Sequence, residues 1–330
     1  MTVNPRVTVS AYRPLEMEMP ALTPAQQDVV DMLGAAKADR PEFPPDLRHD
    51  LRAQLEGALA GAVADVDADD PLWVSKHKLR EVHGCEAKYR ADEVFVVSPA
   101  NARGVVAHKA IELSINLGGD HDPLELIDEA IARLEHSDQR GEQWVAEWLR
   151  TCSEVERAEV KAEANDRLVK FLDCWPPLNP KWRPAPESKL YVDLCDGRIV
   201  LAGKVDLALG RAEGNRAGKV LVDLKTGRAY HSHREDLRFY ALIEAIRLGV
   251  PPRRLATHYL DSGRLDPEEV TLDVLDAAVA RTIDGVLAMV ELNDPDRDLV
   301  KKPGPPCAWC PLAEDCAEGR EWLDAERGGF

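Results

Sequence analysis

The stretch that most constrains the fold is residues 190–260, where the hydrophobic pattern changes from helical spacing to that of strands. A short apolar run over 190–195 ends in Asp196-Gly197, a dipeptide that favours a hairpin turn, and 199–209 reads as the returning strand. A loop rich in glycine and charge follows at 210–218. It leads to Val220-Leu221-Val222-Asp223-Leu224, apolar enough for a buried strand. An amphipathic helix over 233–248 stops at Gly249 and Pro251-Pro252. A strand over 255–260 and a helix over 272–292 complete the pattern. These elements predict an α/β domain with a small central mixed sheet flanked by helices.

Upstream, helical spacing predicts helices over 24–36, 45–63, 74–90, 104–117, 122–136 and 141–173, while residues 1–45 are proline-rich and read as loosely ordered. No run reaches the ~18 apolar residues of a membrane span, and the first twenty residues lack a basic head followed by an apolar run. The expectation is a cytoplasmic protein with no membrane partner.

The net charge of −17 argues at first against a nucleic-acid partner. The charge is uneven, however. Residues 181–260 carry 15 Lys+Arg against 9 Asp+Glu, a local balance of +6, leaving −23 for the rest. A basic middle in an acidic chain is compatible with a local phosphate-binding surface.

Asp223 and Lys225 are two apart on one predicted strand and face the same side, and a neighbouring strand can bring Asp206 alongside. Two acidic side chains on adjacent strands make a site for a hard divalent cation. A lysine beside them orients or helps to deprotonate a water. The alternative is a plain surface salt bridge, but the apolar Val220, Leu221 and Val222 indicate a buried strand, where polar side chains are costly unless used.

Three of the seven cysteines crowd into PPCAWCPLAEDC as Cys307, Cys310 and Cys316, with metal-ligand spacing. Three thiolates need a fourth ligand to close a site, and Cys85 is the candidate. Thiolates suit both iron–sulfur clusters and zinc. Cys152, Cys174 and Cys195 lie in apolar contexts and read as core residues.

Together these motifs resemble the PD-(D/E)XK nucleases, specifically the RecB-like branch with an iron–sulfur cluster, which includes the CRISPR-associated RecB-like exonucleases and the AddB nuclease domain. Asp206 in Gly203-Lys204-Val205-Asp206 matches the first acidic position, and Asp223-Leu224-Lys225 matches the (D/E)-X-K element. His108 in GVVAHKAIE matches the metal-ligating histidine of an earlier helix, and Glu187 an upstream acidic position. Tyr240 fits the family's Q-x-x-x-Y element, whereas Asp236 departs from it by placing a carboxylate where glutamine would donate a hydrogen bond. Arg234 and Arg238 could compensate as substrate contacts.

The resemblance implies a restriction-endonuclease-like core over 71–330, closed by an iron–sulfur staple at 303–320 and preceded by a partly helical extension over 1–70. It implies Mg2+ or Mn2+ on His108, Asp206, Asp223 and the Leu224 carbonyl, with Lys225 positioning the water. It also implies a 4Fe-4S cluster on Cys85, Cys307, Cys310 and Cys316. The implied activity is exonucleolytic hydrolysis of single-stranded DNA or DNA ends, beside a helicase or recombination partner. The alternative is an inactive iron–sulfur DNA-binding or scaffold subunit, against which the intact His108, Asp206, Asp223 and Lys225 argue.

Overall fold

The computed structural model describes residues 21–91, 98–119, 121–227 and 229–328; the first twenty residues of the proline-rich stretch lie outside them. The chain opens with helices α1 (Pro24–Leu33) and α2 (Leu47–Leu59), a short strand β1 (Leu72–Val74), and helices α3 (Lys76–Gly84) and α4 (Glu86–Arg90). Four helices follow: α5 (Pro99–Leu117), α6 (Pro123–Glu135), α7 (Gln143–Thr151) and α8 (Glu154–Cys174). Then come β2 (Ala185–Leu194), β3 (Ile199–Leu209), β4 (Val220–Lys225), α9 (Ser232–Leu248), β5 (Arg254–Tyr259), β6 (Arg264–Glu269), α10 (Leu272–Glu291) and α11 (Ala317–Gly328).

Local chemistry sets the boundaries. α5 begins at Pro99, earlier than its apolar spacing indicates, because Ser98 caps it and proline suits the first helical turn. The single helix expected over 141–173 is two. The first stops at Thr151 with Cys152 as its C-cap, and Ser153 caps the second in a capping box with Glu156. The segment 74–90 is likewise divided, into the end of β1, α3 and α4, with Cys85 at the break. α9 ends where expected, with Gly249 in a left-handed C-cap (φ 84°). The hairpin after β2 places Cys195, Asp196 and Gly197 all at positive φ.

The described strands form one six-stranded mixed sheet, larger than the small sheet expected, because β1 and β6 join it. β3 is its axis. One edge of β3 pairs antiparallel with β2 along most of its length. The other edge is shared. β1 runs parallel to residues 199–201, and β4 runs antiparallel to residues 207–209. The C-terminal ends of β1 and β4 therefore point at each other across an unpaired gap in that edge. β4 continues parallel to β5, which pairs antiparallel with β6.

Each sheet face carries a core. Leu201, Val205, Leu221 and Leu255 pack with Leu51 and Leu55 of α2, Leu242 of α9 and Val286 of α10. Leu207, Val222 and Leu224 pack with Val29 and Leu33 of α1, Val106 of α5 and Leu168 of α8. β4 is buried on both faces from Val220 to Leu224, which explains its unbroken apolar run. The described part of the first seventy residues is thus built into both cores rather than extended away from them. No helix among the described residues is long and apolar enough to cross a membrane.

Candidate active site

The gap in the β3 edge gathers the acidic residues. Leu207 pairs with Val222, so one step further along the register Asp206 stands opposite Asp223. The ladder stops there, and the Asp206 side chain takes over: its Oδ2 accepts a hydrogen bond from the Leu224 N–H at 2.6 Å. The Lys225 carbonyl accepts from Leu260 N–H on the β5 side. Strand alternation therefore turns the Leu224 carbonyl toward β3 and Asp206.

His108 reaches the same point from α5, with Nδ1 3.4 Å from Asp206 Oδ1. On the far edge of β3, Ser188 pairs with Val205 and Pro186 with Leu207, which sets Glu187 opposite Asp206. Glu187 holds a left-handed backbone (φ 52°), a conformation that is strained for a non-glycine residue and concentrates at functional sites. One ligand atom each from His108, Glu187 and Asp206 lie within 4.8 Å of one another. The cleft over this trio has a volume of about 570 Å³ and includes Lys204, which pairs with Glu187.

Burial opposes the charge on every member of the trio. For Asp206 the opposition is overcome by His108, Lys76 and Lys225, which hold the carboxyl far below the usual range. For His108 it is overcome by Asp206 and then Glu187, so the imidazole titrates above its ordinary value. Glu187 is raised, by burial first, against the pull of Lys204.

Asp223 is fully buried and stands beside this trio rather than in it. Lys76 Nζ donates to its Oδ1 at 2.9 Å, and Lys225 Nζ lies 2.5 Å from its Oδ2. The second contact lacks hydrogen-bond geometry, so Oδ2 is a buried acceptor without a hydrogen-bonded donor. Both oxygens of Asp223 nonetheless face an ammonium group, and the donor set open to a hard cation is that of His108, Glu187 and Asp206. Lys76 enters from α3, just beyond the end of β1. Burial works against its charge, yet Asp223, Tyr240, Asp206 and Asp236 hold it well above the ordinary lysine range.

The helix after the lysine strand differs most from expectation. Asp236, the carboxylate that stands in place of the family's glutamine, is only 3 % exposed. Lys76, Lys225 and Arg80 place their nitrogens 3.9–4.0 Å from its Oδ2. Tyr240 lies inside the protein, 2 % exposed, against Gly203. A Cβ on Gly203 would fall 2.2 Å from Tyr240 Cε1, which is why glycine stands in the Gly203-Lys204-Val205-Asp206 stretch of β3. So placed, the Tyr240 ring packs against Gly203 on one side and lies 5.0 Å from the Lys76 ammonium. Arg238 makes a paired hydrogen bond with Glu268, and Arg234 lies 3.4 Å from Asp266, both on β6, a strand that the sequence pattern did not reveal. Lys76 and Arg80 went unrecognised in the sequence. Nothing in their spacing marks them, and 147 residues separate Lys76 from Asp223.

The cysteines divide into two groups. Cys85, Cys307, Cys310 and Cys316 line one small pocket. Cys85 is brought there by its own neighbours: Glu86 exchanges hydrogen bonds with Val300, and Arg90 bonds the Asp294 carbonyl. Backbone N–H groups of Gly304 and Gly319 each lie 3.4 Å from a sulfur, of Cys307 and Cys316 respectively. Among the described residues no three sulfurs converge within 4.8 Å. A tetrahedral zinc ion, with bonds of ~2.3 Å, requires sulfurs ~3.8 Å apart. Cys152, Cys174 and Cys195 are half-buried, not fully interior as expected, because each sits where a helix or strand ends.

Comparison with solved structures finds low-scoring likenesses. A crystal structure of SSO0001 is 11% identical at a TM-score of 0.32, over 64% of this chain and 94% of that one. Rai1 of Scheffersomyces stipitis, in complex with (3'-NADP)+ and calcium ion, is 14% identical at 0.24, over 59% and 60%. A second structure of that Rai1 is 16% identical at 0.23, over 68% and 73%. None of these bears on function at such scores. No curated protein matches the sequence. The model of the PD-(D/E)XK nuclease superfamily, by contrast, matches residues 74–317, which span β1 to the cysteine motif. The chain belongs to the PD-(D/E)XK nuclease superfamily, which implies a nuclease that uses divalent metal ions.

Proposed function

We propose that the protein is a metal-dependent DNA exonuclease of the RecB-like branch, acting on single-stranded DNA or DNA ends. The observation that carries this reading is the convergence of His108, Glu187 and Asp206 beside the buried Asp223–Lys225 pair. One imidazole and two carboxylates suit Mg2+ or Mn2+. In this reading His108, Glu187 and Asp206 hold the cation, with Asp223 and the Leu224 carbonyl completing the set. When bound, the cation lowers the pKa of a water and offsets charge on the phosphate oxygens. Lys225 orients the attacking water through its ammonium. Asp223 fixes Lys225, and Lys76 fixes Asp223. The water oxygen bonds to phosphorus as the phosphodiester P–O bond breaks, the water's proton passing to solvent and the leaving oxygen taking a proton from solvent to become a hydroxyl.

The same reading assigns a 4Fe-4S cluster to Cys85, Cys307, Cys310 and Cys316. Its support is the shared pocket and the two N–H groups directed at sulfur, which stabilise thiolate charge. A cluster here joins α3 and α4 to the segment after α10 and so ties together the two ends of the 71–330 nuclease domain. A reducing cytoplasm, which keeps thiols free, suits this assignment. A helicase or recombination partner would supply the strand.

The test is degradation of end-labelled single-stranded and duplex DNA with Mn2+, Mg2+ or EDTA, for the wild type, Asp223→Ala and Lys225→Ala. Metal-dependent shortening from the ends by the wild type, lost in both variants, is the expected outcome. DNA binding without cleavage in either metal would replace the enzyme reading with that of a scaffold subunit.

A further inference from the structure

The basic balance of residues 181–260 is not absorbed by the catalytic centre. Much of it converges elsewhere, on a cavity of about 470 Å³ between the end of α1, the loop before β2 and the connection from β3 to β4. That volume lies within the usual ~300–1,000 Å³ of small-ligand pockets. Arg40, Lys181, Arg183, Arg211 and Arg253 line it, against one acidic residue, Glu213, which is already paired with Lys37. Among the described residues none of the five cations lies within 4.0 Å of a carboxylate oxygen, and Glu213, whose charge Arg211 and Arg40 also feel, is the one acid set against them. Such a concentration of one charge is costly without a counter-charge.

One of these groups, Arg253, is built in rather than draped over the surface. Arg253 is 8 % exposed. One Nη donates to the Leu33 carbonyl, but its Nε is buried without a partner, as is the Nε of Arg40. Burial, followed by the nearness of Arg254 and Arg40, pulls the Arg253 guanidinium down to about 10. Arg183 is placed at the rim of the cavity by its left-handed cap of the short turn Pro180–Trp182, its N–H donating to the Pro180 carbonyl. Trp182, 36 % exposed, and Trp175 complete the wall with aromatic surface.

We propose that this cavity is a second ligand site, which binds the phosphate of a nucleotide through the arginines and its base against Trp182. A planar guanidinium suits a phosphate, and an indole face accepts any base. The site is distinct from the metal centre. The cavity reaches Val220 at the start of β4, whereas Asp223 lies three residues along, ~10 Å at strand rise. The phosphate can belong to a free mononucleotide or to the end of a strand.

The experiment is calorimetric titration of the full chain in EDTA with adenosine 5′-monophosphate, adenosine and inorganic phosphate. The double variant Arg183→Glu/Arg211→Glu changes exposed residues and leaves the core intact; Trp182→Ala tests the aromatic wall. One nucleotide per chain is expected, weakened at least tenfold in the double variant and unchanged in Asp206→Ala. Trp182→Ala is expected to weaken the nucleotide while leaving phosphate binding as it was. Displacement of the nucleotide by a 5′-phosphorylated oligonucleotide, and not by its 5′-hydroxyl form, assigns the site to strand ends; no displacement by either assigns it to free nucleotide. Absence of saturable binding up to millimolar concentration, or binding that the double variant leaves intact, overturns the proposal. So does loss of binding in Asp206→Ala, which would move the ligand to the metal centre.

Discussion

His258 gives the protein a predicted acid sensitivity whose size follows from its surroundings. It lies on β5 with no exposed surface, and its Nδ1 accepts a hydrogen bond from the Trp175 indole N–H at 3.0 Å. Burial lowers its pKa to about 4. In the unfolded chain the value is about 6.5. The unfolded state therefore takes up a proton that the folded state refuses. The neutral imidazole's contribution is fully present above about pH 6.5 and is lost as pH falls toward 4. Linkage gives a loss of roughly 2 kcal/mol between about pH 7.5 and about pH 5. Urea denaturation at those two pH values, for wild type and His258→Gln, measures it. Glutamine can still accept the Trp175 hydrogen bond but does not titrate, so the variant should lose roughly 2 kcal/mol less than wild type over the interval. Other histidines titrate in both proteins and cancel in the difference. Equal losses in the two proteins would refute the argument.

Gly203→Ala drives a methyl group into the Tyr240 ring and should cost ~1–3 kcal/mol in urea; an unchanged midpoint would dismiss that packing. Lys76→Met removes the hydrogen-bonded partner of buried Asp223 and should destabilise the metal-free protein by roughly 3 kcal/mol, with Lys76→Arg recovering part. Stability equal to wild type for Lys76→Met would mean that Lys225 alone satisfies Asp223. Cys85→Ala should abolish brown colour and visible absorbance and lower the thermal midpoint, and retention of both would remove Cys85 from the ligand set. Asp223→Ala should eliminate metal-dependent cleavage of end-labelled DNA while leaving the purified protein folded by circular dichroism.

The sequence by itself determined the elements whose signals are local. β3 and β4 follow from apolar runs bounded by an Asp-Gly turn and a glycine-rich loop, and the end of α9 follows from Gly249. The Asp206 and Asp223 pairing was legible because two adjacent strands and a spacing of two residues leave little freedom in where the side chains point. Less local features were hidden. β1 is three residues long and β6 reads Arg-Leu-Asp-Pro-Glu-Glu, with no apolar alternation to reveal it. Only the tertiary structure decided that β1 and β4 would meet end to end on one edge of β3. That meeting delivers Lys76 to Asp223 and leaves the trio to Glu187. Tertiary structure also brings Lys181, Arg183, Arg211 and Arg253 together with Arg40 around one cavity. Such contacts join positions far apart in the chain, and their energy comes from burial and charge balance, which no short window of sequence contains.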